Sequence, residues 1–338
     1  MNTVLRRCVT VPIYLGLAAA LPLLFATLPL VAVIDALRGA NWATTRALLF
    51  FAVYIACEAV GIAAATLLWI VYRVRPGLGA DRYERLNFRL QCWWAKCLFR
   101  SAAWIFGFVT SVDGEEEVAR GPFLVFARHA STADTVLPAV FISARRDILL
   151  RYVLKKELLW DPCLDIVGNR LRNHFVDRAS LDRAHEVEEV ARLADDLNEH
   201  EGVLIYPEGT RFSPAKLERA IAKLAGTADA DLLECARRLR HVLPPKLGGP
   251  IALLQRNREA DLVLLGHCGF EGIESLADLL NGALIGRAVN VRFWRIRRGD
   301  IPIDPAALRH WLLDMWRHID DWIDEKRAQP PLAARGRS

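Results

Sequence analysis

Two short stretches hold the residue types that could do acid–base and anion chemistry. In "RHASTAD", residues 128–134, His129 closes an apolar run and Asp134 follows five positions later. Across a strand-to-helix turn, a carboxylate at that spacing can hold one imidazole nitrogen and leave the other free as a base. Ser131 and Asp134 also have capping-box spacing, so Asp134 has a purely structural use as well. Pro138 disturbs any helix running on from Ser131. The second stretch is "YPEGTRFSPAK", residues 206–216, which follows apolar "GVLI". There Gly209 lets a ligand approach the backbone, and Arg211 offers a planar fork suited to a phosphate. The plain alternative for Arg211 is a salt bridge with Glu208. Arg178, ending "HFVDR", can join the same anion.

These residues need strands to position them. "GPFLVFA" (121–127), "DILLRYVL" (147–154), "HFVDR" (174–178), "GVLIYP" (202–207), "ADLVLLGHC" (260–268) and "AVNVRFWRIR" (288–297) read as strands. Between them, Ser180 to Glu201 has helical apolar spacing, with Ser180 as N-cap and Gly202 after the last turn. Polar helices are expected at 215–224 and 229–240, and an amphipathic one at 305–327. Strands alternating with helices predict an α/β domain, a mixed sheet flanked by helices, over residues 110–327. The tail, 328–338, is disordered by composition.

The front of the chain is different. Of 338 residues, 53% are hydrophobic, and the excess sits in the first quarter. Residues 9–34 carry no charge and 47–72 carry only Glu58; roughly 20 apolar residues suffice to cross a bilayer. Residues 1–75 therefore read as a transmembrane helical hairpin rather than a cleaved signal peptide. Arginines before the first run and after the second put both ends in the cytoplasm and the tip outside. Glu58 in such a hairpin needs a hydrogen bond inside it, for which Thr27 is available. Residues 76–109 mix Trp93, Trp94 and Trp104 with Arg89, Lys96 and Arg100, the pattern of an amphipathic helix lying in the interface. Residues 73–100 hold a cation excess equal to the whole chain's net charge of +5. That belt suits anionic headgroups, and no nucleic-acid motif accompanies it.

Other chemistry is disfavoured. The seven cysteines form no C-x-x-C pair and imply neither a disulfide framework nor a zinc site. There is no G-x-S-x-G elbow, H-E-x-x-H, Walker A or G-x-G-x-x-G. Metal-dependent hydrolysis at His129 and Asp134 lacks further ligands at recognisable spacing.

Taken together, H-x-S-x-x-D, F-x-x-R and P-E-G-T-R, in that order and each after a strand, resemble the glycerolipid acyltransferase family. That is the family of 1-acyl-glycerol-3-phosphate and related lysophospholipid acyltransferases. The resemblance covers about residues 110–300. "EGTRFSPAK" with "VLPPKLGG" is similar to the lysocardiolipin acyltransferase-like branch. It implies His129 as general base and Asp134 as its partner. Arg178, Glu208, Gly209, Thr210 and Arg211 would form the acceptor's phosphate site, and Pro244 and Pro245 would tune substrate fit. It implies no metal and no bound cofactor. The substrates would be a lysophospholipid, most simply 1-acyl-glycerol-3-phosphate, and an acyl thioester of coenzyme A or acyl carrier protein. The implied place is a bacterial inner membrane, with the catalytic domain on the cytoplasmic side. A phospholipid–lysophospholipid transacylase and an inactive membrane lipid-binding protein are the rival readings. Arg128 stands where the family usually has Asn, Arg172 where Gly is common, and Tyr206 where Phe is commoner. The extra cations point to a more anionic or larger headgroup.

Overall fold

The computed structural model describes residues 2–75, 77–177, 180, 182–226, 229–273 and 275–329. Most of the predicted tail lies outside them. Four helices come first: α1 (Thr3–Ala19), α2 (Leu21–Arg38), α3 (Ala43–Val74) and α4 (Ala80–Phe106). Then follow β1 (Val109–Asp113), β2 (Phe123–Ala127), α5 (Ala144–Arg146), β3 (Leu149–Lys155), α6 (Pro162–Gly168), β4 (His174–Val176), α7 (Arg183–Arg192) and β5 (Glu201–Ile205). The last part comprises α8 (Pro214–Leu224), α9 (Ala230–Arg238), α10 (Gly248–Arg256), β6 (Asp261–Cys268), α11 (Leu276–Leu280), β7 (Ala288–Ile296) and α12 (Pro305–Ala328).

The strands form one mixed sheet in the order β1-β7-β6-β2-β5-β3-β4. Among the described residues, only the β6–β7 pair is antiparallel. Central β2 reads "FLVFA" with every residue buried, as a parallel strand covered on both faces must. Leu124 and Phe126 pack on one side with Val203, Ile205 and residues of α7, α10 and α12. Phe123 and Val125 pack on the other with Ala95 and Phe106 of α4 and Phe141. The fold expectation of a mixed sheet flanked by helices holds, behind an apolar helical hairpin made by α2 and α3.

Several local expectations change. The uncharged run 9–34 is not one helix. It breaks at Ala20, because Pro22 in the first turn of α2 has no N–H to continue the α1 ladder. α2 and α3 are each long and apolar enough to cross a membrane, whereas α1 is pinned to the α/β domain. There the buried Asp165 of α6 takes Arg6 at 2.7 Å and Arg7 at 3.0 Å. The hairpin tip, expected across the bilayer from the domain, instead lies against it. Arg46 Nη1 donates to the Ile105 carbonyl at 2.6 Å, and Phe50 meets Phe106 edge to face at 5.7 Å. At the other end of α3, Tyr72 stacks on Tyr83 at 4.2 Å. The helix thus touches the body beside it from first turn to last.

Glu58 is satisfied from outside the hairpin and not by Thr27. It accepts from Trp94 Nε1 at 2.8 Å and from Cys163 N at 3.2 Å. α4 therefore works as a bridge. It buries Phe88, Cys92, Ala95 and Leu98 between α3 and the sheet and leaves Trp104 exposed. The helix expected from Ser180 to Glu201 is shorter. Its N-cap is Asp182, whose side chain accepts from His185 N, and it ends at Arg192. Turns then lead to Asp196 at φ 52°, and Glu201 and Gly202 already belong to β5.

Candidate active site

Strand register builds the site. Phe126 of β2 pairs with Ile205 of β5, and His129 and Glu208 each lie three residues beyond that pair. The carboxyl ends of adjacent parallel strands are where α/β sheets hold ligands.

His129 Nδ1 lies 2.9 Å from Asp134 Oδ1. Asp134 Oδ2 accepts from Ala130 N at 2.6 Å and Ser131 N at 2.7 Å. The capping and catalytic readings of Asp134 are thus compatible: one oxygen holds the turn and the other holds the ring. Pro138 is accommodated by a short 3-10 turn, Ala133–Val136, ahead of an irregular helical turn at Ala139–Ser143. Burial alone would raise the Asp134 carboxyl. Hydrogen bonds from His129 and His267, and their charges, outweigh it and hold the group well below the usual carboxylate range. An ionised carboxylate donates nothing, so Nδ1 carries a proton, and in the neutral form of the ring Nε2 keeps the lone pair.

Glu208 does not face the cavity. It is buried, and Oε1 accepts from His129 N while Oε2 accepts from Leu243 N, both at 2.8 Å. It braces the backbone that carries His129. Burial pushes it up to about 8, against the pull of those two N–H groups and of Arg128. The turn is stitched further by Phe212 N to the His129 carbonyl at 2.7 Å and Lys246 N to the Pro207 carbonyl at 2.8 Å. Gly209 sits at φ +68°, and a Cβ there would stand 3.0 Å from Lys246 Nζ. Arg211 Nη1 donates to Thr132 Oγ1 at 2.6 Å, tying the two motifs together.

His129, Thr132, Tyr206, Gly209 and Arg211 open onto one cavity of about 1210 Å³. Lys155, Arg183, Lys223 and Lys246 also line it, as do the apolar side chains of Trp94, Leu98, Phe99, Phe108, Leu279 and Leu284. α3 contributes Phe50, Tyr54 and Gly61 to the wall. An imidazole nitrogen, an arginine fork and a set of large apolar side chains thus share one space.

The remaining expected residues fall elsewhere. Arg178 lies outside the described residues. Thr210 is half-buried beside the turn. Pro244 and Pro245 are placed between the Leu243–Glu208 bond and the Lys246–Pro207 bond, under the turn and off the cavity wall. Arg128 and Arg172 do not enlarge the anion site. Arg128 is fully buried, bonded to Glu271 at 2.6 Å and to the carbonyls of His267 and His241. Arg172 is half-exposed and pairs with Glu84 and Glu201. Sequence reasoning missed His267, Glu271 and Lys246. The available signal for His267 was a histidine ending a third apolar strand, β6, paired beside β2.

A family model described as Acyltransferase matches residues 109–248. A Pseudomonas aeruginosa protein named 1-acyl-sn-glycerol-3-phosphate acyltransferase is 27% identical over 197 residues, 57% of this chain and 72% of that protein. Among solved structures, the 1-acyl-sn-glycerophosphate (LPA) acyltransferase PlsC from Thermotoga maritima superposes with a TM-score of 0.55 at 15% identity. That match covers 86% of this chain and 100% of the other, and at such identity it speaks for the fold.

Proposed function

Because the chain belongs to the glycerolipid acyltransferase family, we propose that it moves a fatty acyl chain from an acyl thioester to the free hydroxyl of a lysophospholipid, 1-acyl-glycerol-3-phosphate being the simplest acceptor. The observation that carries this reading is the shared cavity: His129 backed by Asp134, together with Arg211 and a largely apolar lining.

In this mechanism Arg211 and the neighbouring lysines hold the acceptor's phosphate, which aims its hydroxyl at His129. Nε2 takes the hydroxyl proton as the oxygen attacks the thioester carbonyl. The C–S bond then breaks, the thiolate leaves, and the imidazolium returns the proton to sulfur. Such general-base help is worth about 10²–10⁴-fold. No enzyme-bound acyl intermediate is needed. The apolar walls receive hydrocarbon, and the hairpin keeps the cavity at a lipid surface, the cytoplasmic face of a bacterial inner membrane in this reading. Coenzyme A and acyl carrier protein both satisfy the donor chemistry.

The test is thiol release by purified protein, with acyl-CoA and acyl carrier protein as alternative donors and a panel of lysolipids as acceptors. Thioester-dependent acylation that disappears in a folded His129→Ala variant is expected. Transfer without any thioester would select transacylation, and lipid binding with no turnover would select an inactive binder. Full activity in His129→Ala would remove the base.

A further inference from the structure

A second imidazole stands behind the first. His267, near the end of β6, is fully buried and does not reach the cavity. Its Nε2 lies 3.2 Å from Asp134 Oδ2 and 3.3 Å from the Arg128 carbonyl oxygen. A carbonyl and an ionised carboxylate are acceptors only, so Nε2 must carry a proton and donate it. The carboxylate is therefore held at both oxygens by rings: His129 on Oδ1 and His267 on Oδ2. His267 Nδ1 has no hydrogen-bond partner among the described residues. A residue kept only for packing has no need of a buried imidazole with one orphaned nitrogen, which carries a desolvation cost. The useful end is the one on Asp134.

We propose that His267 is a positioning residue of the acyl transfer: its Nε2–H fixes the plane of the Asp134 carboxylate and sets how much negative charge Oδ1 presents to His129. The inference rests on the reading of His129 as the base. The charged and titratable groups facing His267 and its carboxylate are Arg128 and its partner Glu271, the Glu208 carboxyl across the turn, and the Tyr206 ring against His129 at 4.8 Å. Arg128 and Glu271 neutralise each other at 2.6 Å, so the N–H bond is the local variable. Its removal leaves more charge on Oδ1. The His129 imidazolium is then better stabilised and the base titrates higher, while the carboxylate plane is free to rotate.

The experiment compares His267→Leu, which loses the donor, with His267→Gln, whose amide N–H can reach the same oxygen. For His267→Leu, kcat is expected to fall about tenfold, and the acid limb of kcat/KM to move up by about 0.5–1 unit. KM for the lysolipid should change less than twofold, since the residue touches no substrate. His267→Gln should recover kcat to within about threefold and return the acid limb. Ring ¹⁵N titration of His129 in the same full-length variants reads the shift without any turnover. If the wild type shows no thioester-dependent transfer, the proposed reaction fails, while this titration still decides the role of His267. An unmoved His129 titration in folded His267→Leu overturns the inference, as does equal loss in Leu and Gln. If the Leu variant does not fold, His267→Asn, too short to reach Oδ2, replaces it against Gln with the same outcomes.

Discussion

Replacing Asp134 by Asn isolates what the carboxylate does for the base. The amide is isosteric, and its single oxygen can keep the bonds from Ala130 N and Ser131 N, which are 2.6 and 2.7 Å long in the parent. Its NH₂ then faces His129 Nδ1, where Asp134 Oδ1 lies 2.9 Å away. A donor there forces Nδ1 to become the acceptor, so the proton moves to Nε2 and the cavity loses its base. The donors on Oδ2, His267 with Ala130 N and Ser131 N, keep an acceptor, now a neutral amide oxygen in place of a charged one. The cost of weakening these buried bonds is about 1–3 kcal/mol. A folded protein with the wrong tautomer is therefore expected. The loss in kcat should be about 10²–10⁴-fold, the range for a positioned base, and the tautomer swap in a serine protease has a comparable effect. KM for the lysolipid should stay within about threefold, because Arg211 and the lysines are untouched. The assay is thiol release at saturating acyl donor over a pH series, with near-UV circular dichroism to confirm the fold. Activity within tenfold of wild type in a folded Asp134→Asn protein would refute the tautomer argument.

Arg211→Ala removes a charge-assisted contact worth about 1.5–3 kcal/mol, so KM for a phosphate-bearing lysolipid should rise about 10–100-fold with kcat little changed; an unchanged KM counts against the phosphate clamp. Gly209→Ala places a Cβ at φ +68°, beside Lys246 Nζ at 3.0 Å, and should cost about 1–2 kcal/mol in chemical denaturation; a neutral result would mean the turn can reshape. Glu208 has its folded value raised to about 8 by burial. The folded state therefore holds that proton more tightly than the unfolded chain, and its contribution to stability is complete below the ordinary glutamate range and lost as pH rises toward 8. Relative to wild type, Glu208→Gln should gain stability across that window, measured by melting temperature at each pH; parallel curves would mean Glu208 is ionised throughout.

What sequence conveyed well was whatever depended on short-range pattern. "FLVFA" could only be a doubly covered strand, and His129 with Asp134 lies within one turn, so their meeting was legible from spacing. The joining of that pair to Arg211 required register between β2 and β5, which sequence order alone does not supply. Misreadings came where a side chain's direction decides its role. Arg128 looked like an added headgroup cation, yet it points into the protein toward Glu271, because it precedes His129 by one position and takes the opposite side of the strand. Glu208 sits in the anion turn by sequence but spends both oxygens on backbone. His267 was passed over because its partner, Asp134, lies in the turn beyond β2, and it takes the β2–β6 pairing to bring the two together. In the front end, apolar length marked α2 and α3 correctly as membrane-compatible helices. It could not reveal that Asp165, far along the chain, would capture Arg6 and Arg7.

α3 has a double identity. The same helix that is long and apolar enough to cross a membrane supplies Phe50, Tyr54 and Gly61 to the inner wall of the cavity, and Cys163 Sγ would be 2.5 Å from any Cβ added at Gly61. A truncated protein lacking the hairpin would not be a soluble edition of this enzyme; it would be a bowl with one side missing. Equally, whatever pushes on or slackens α3 acts directly on the volume of the cavity, with no relay in between.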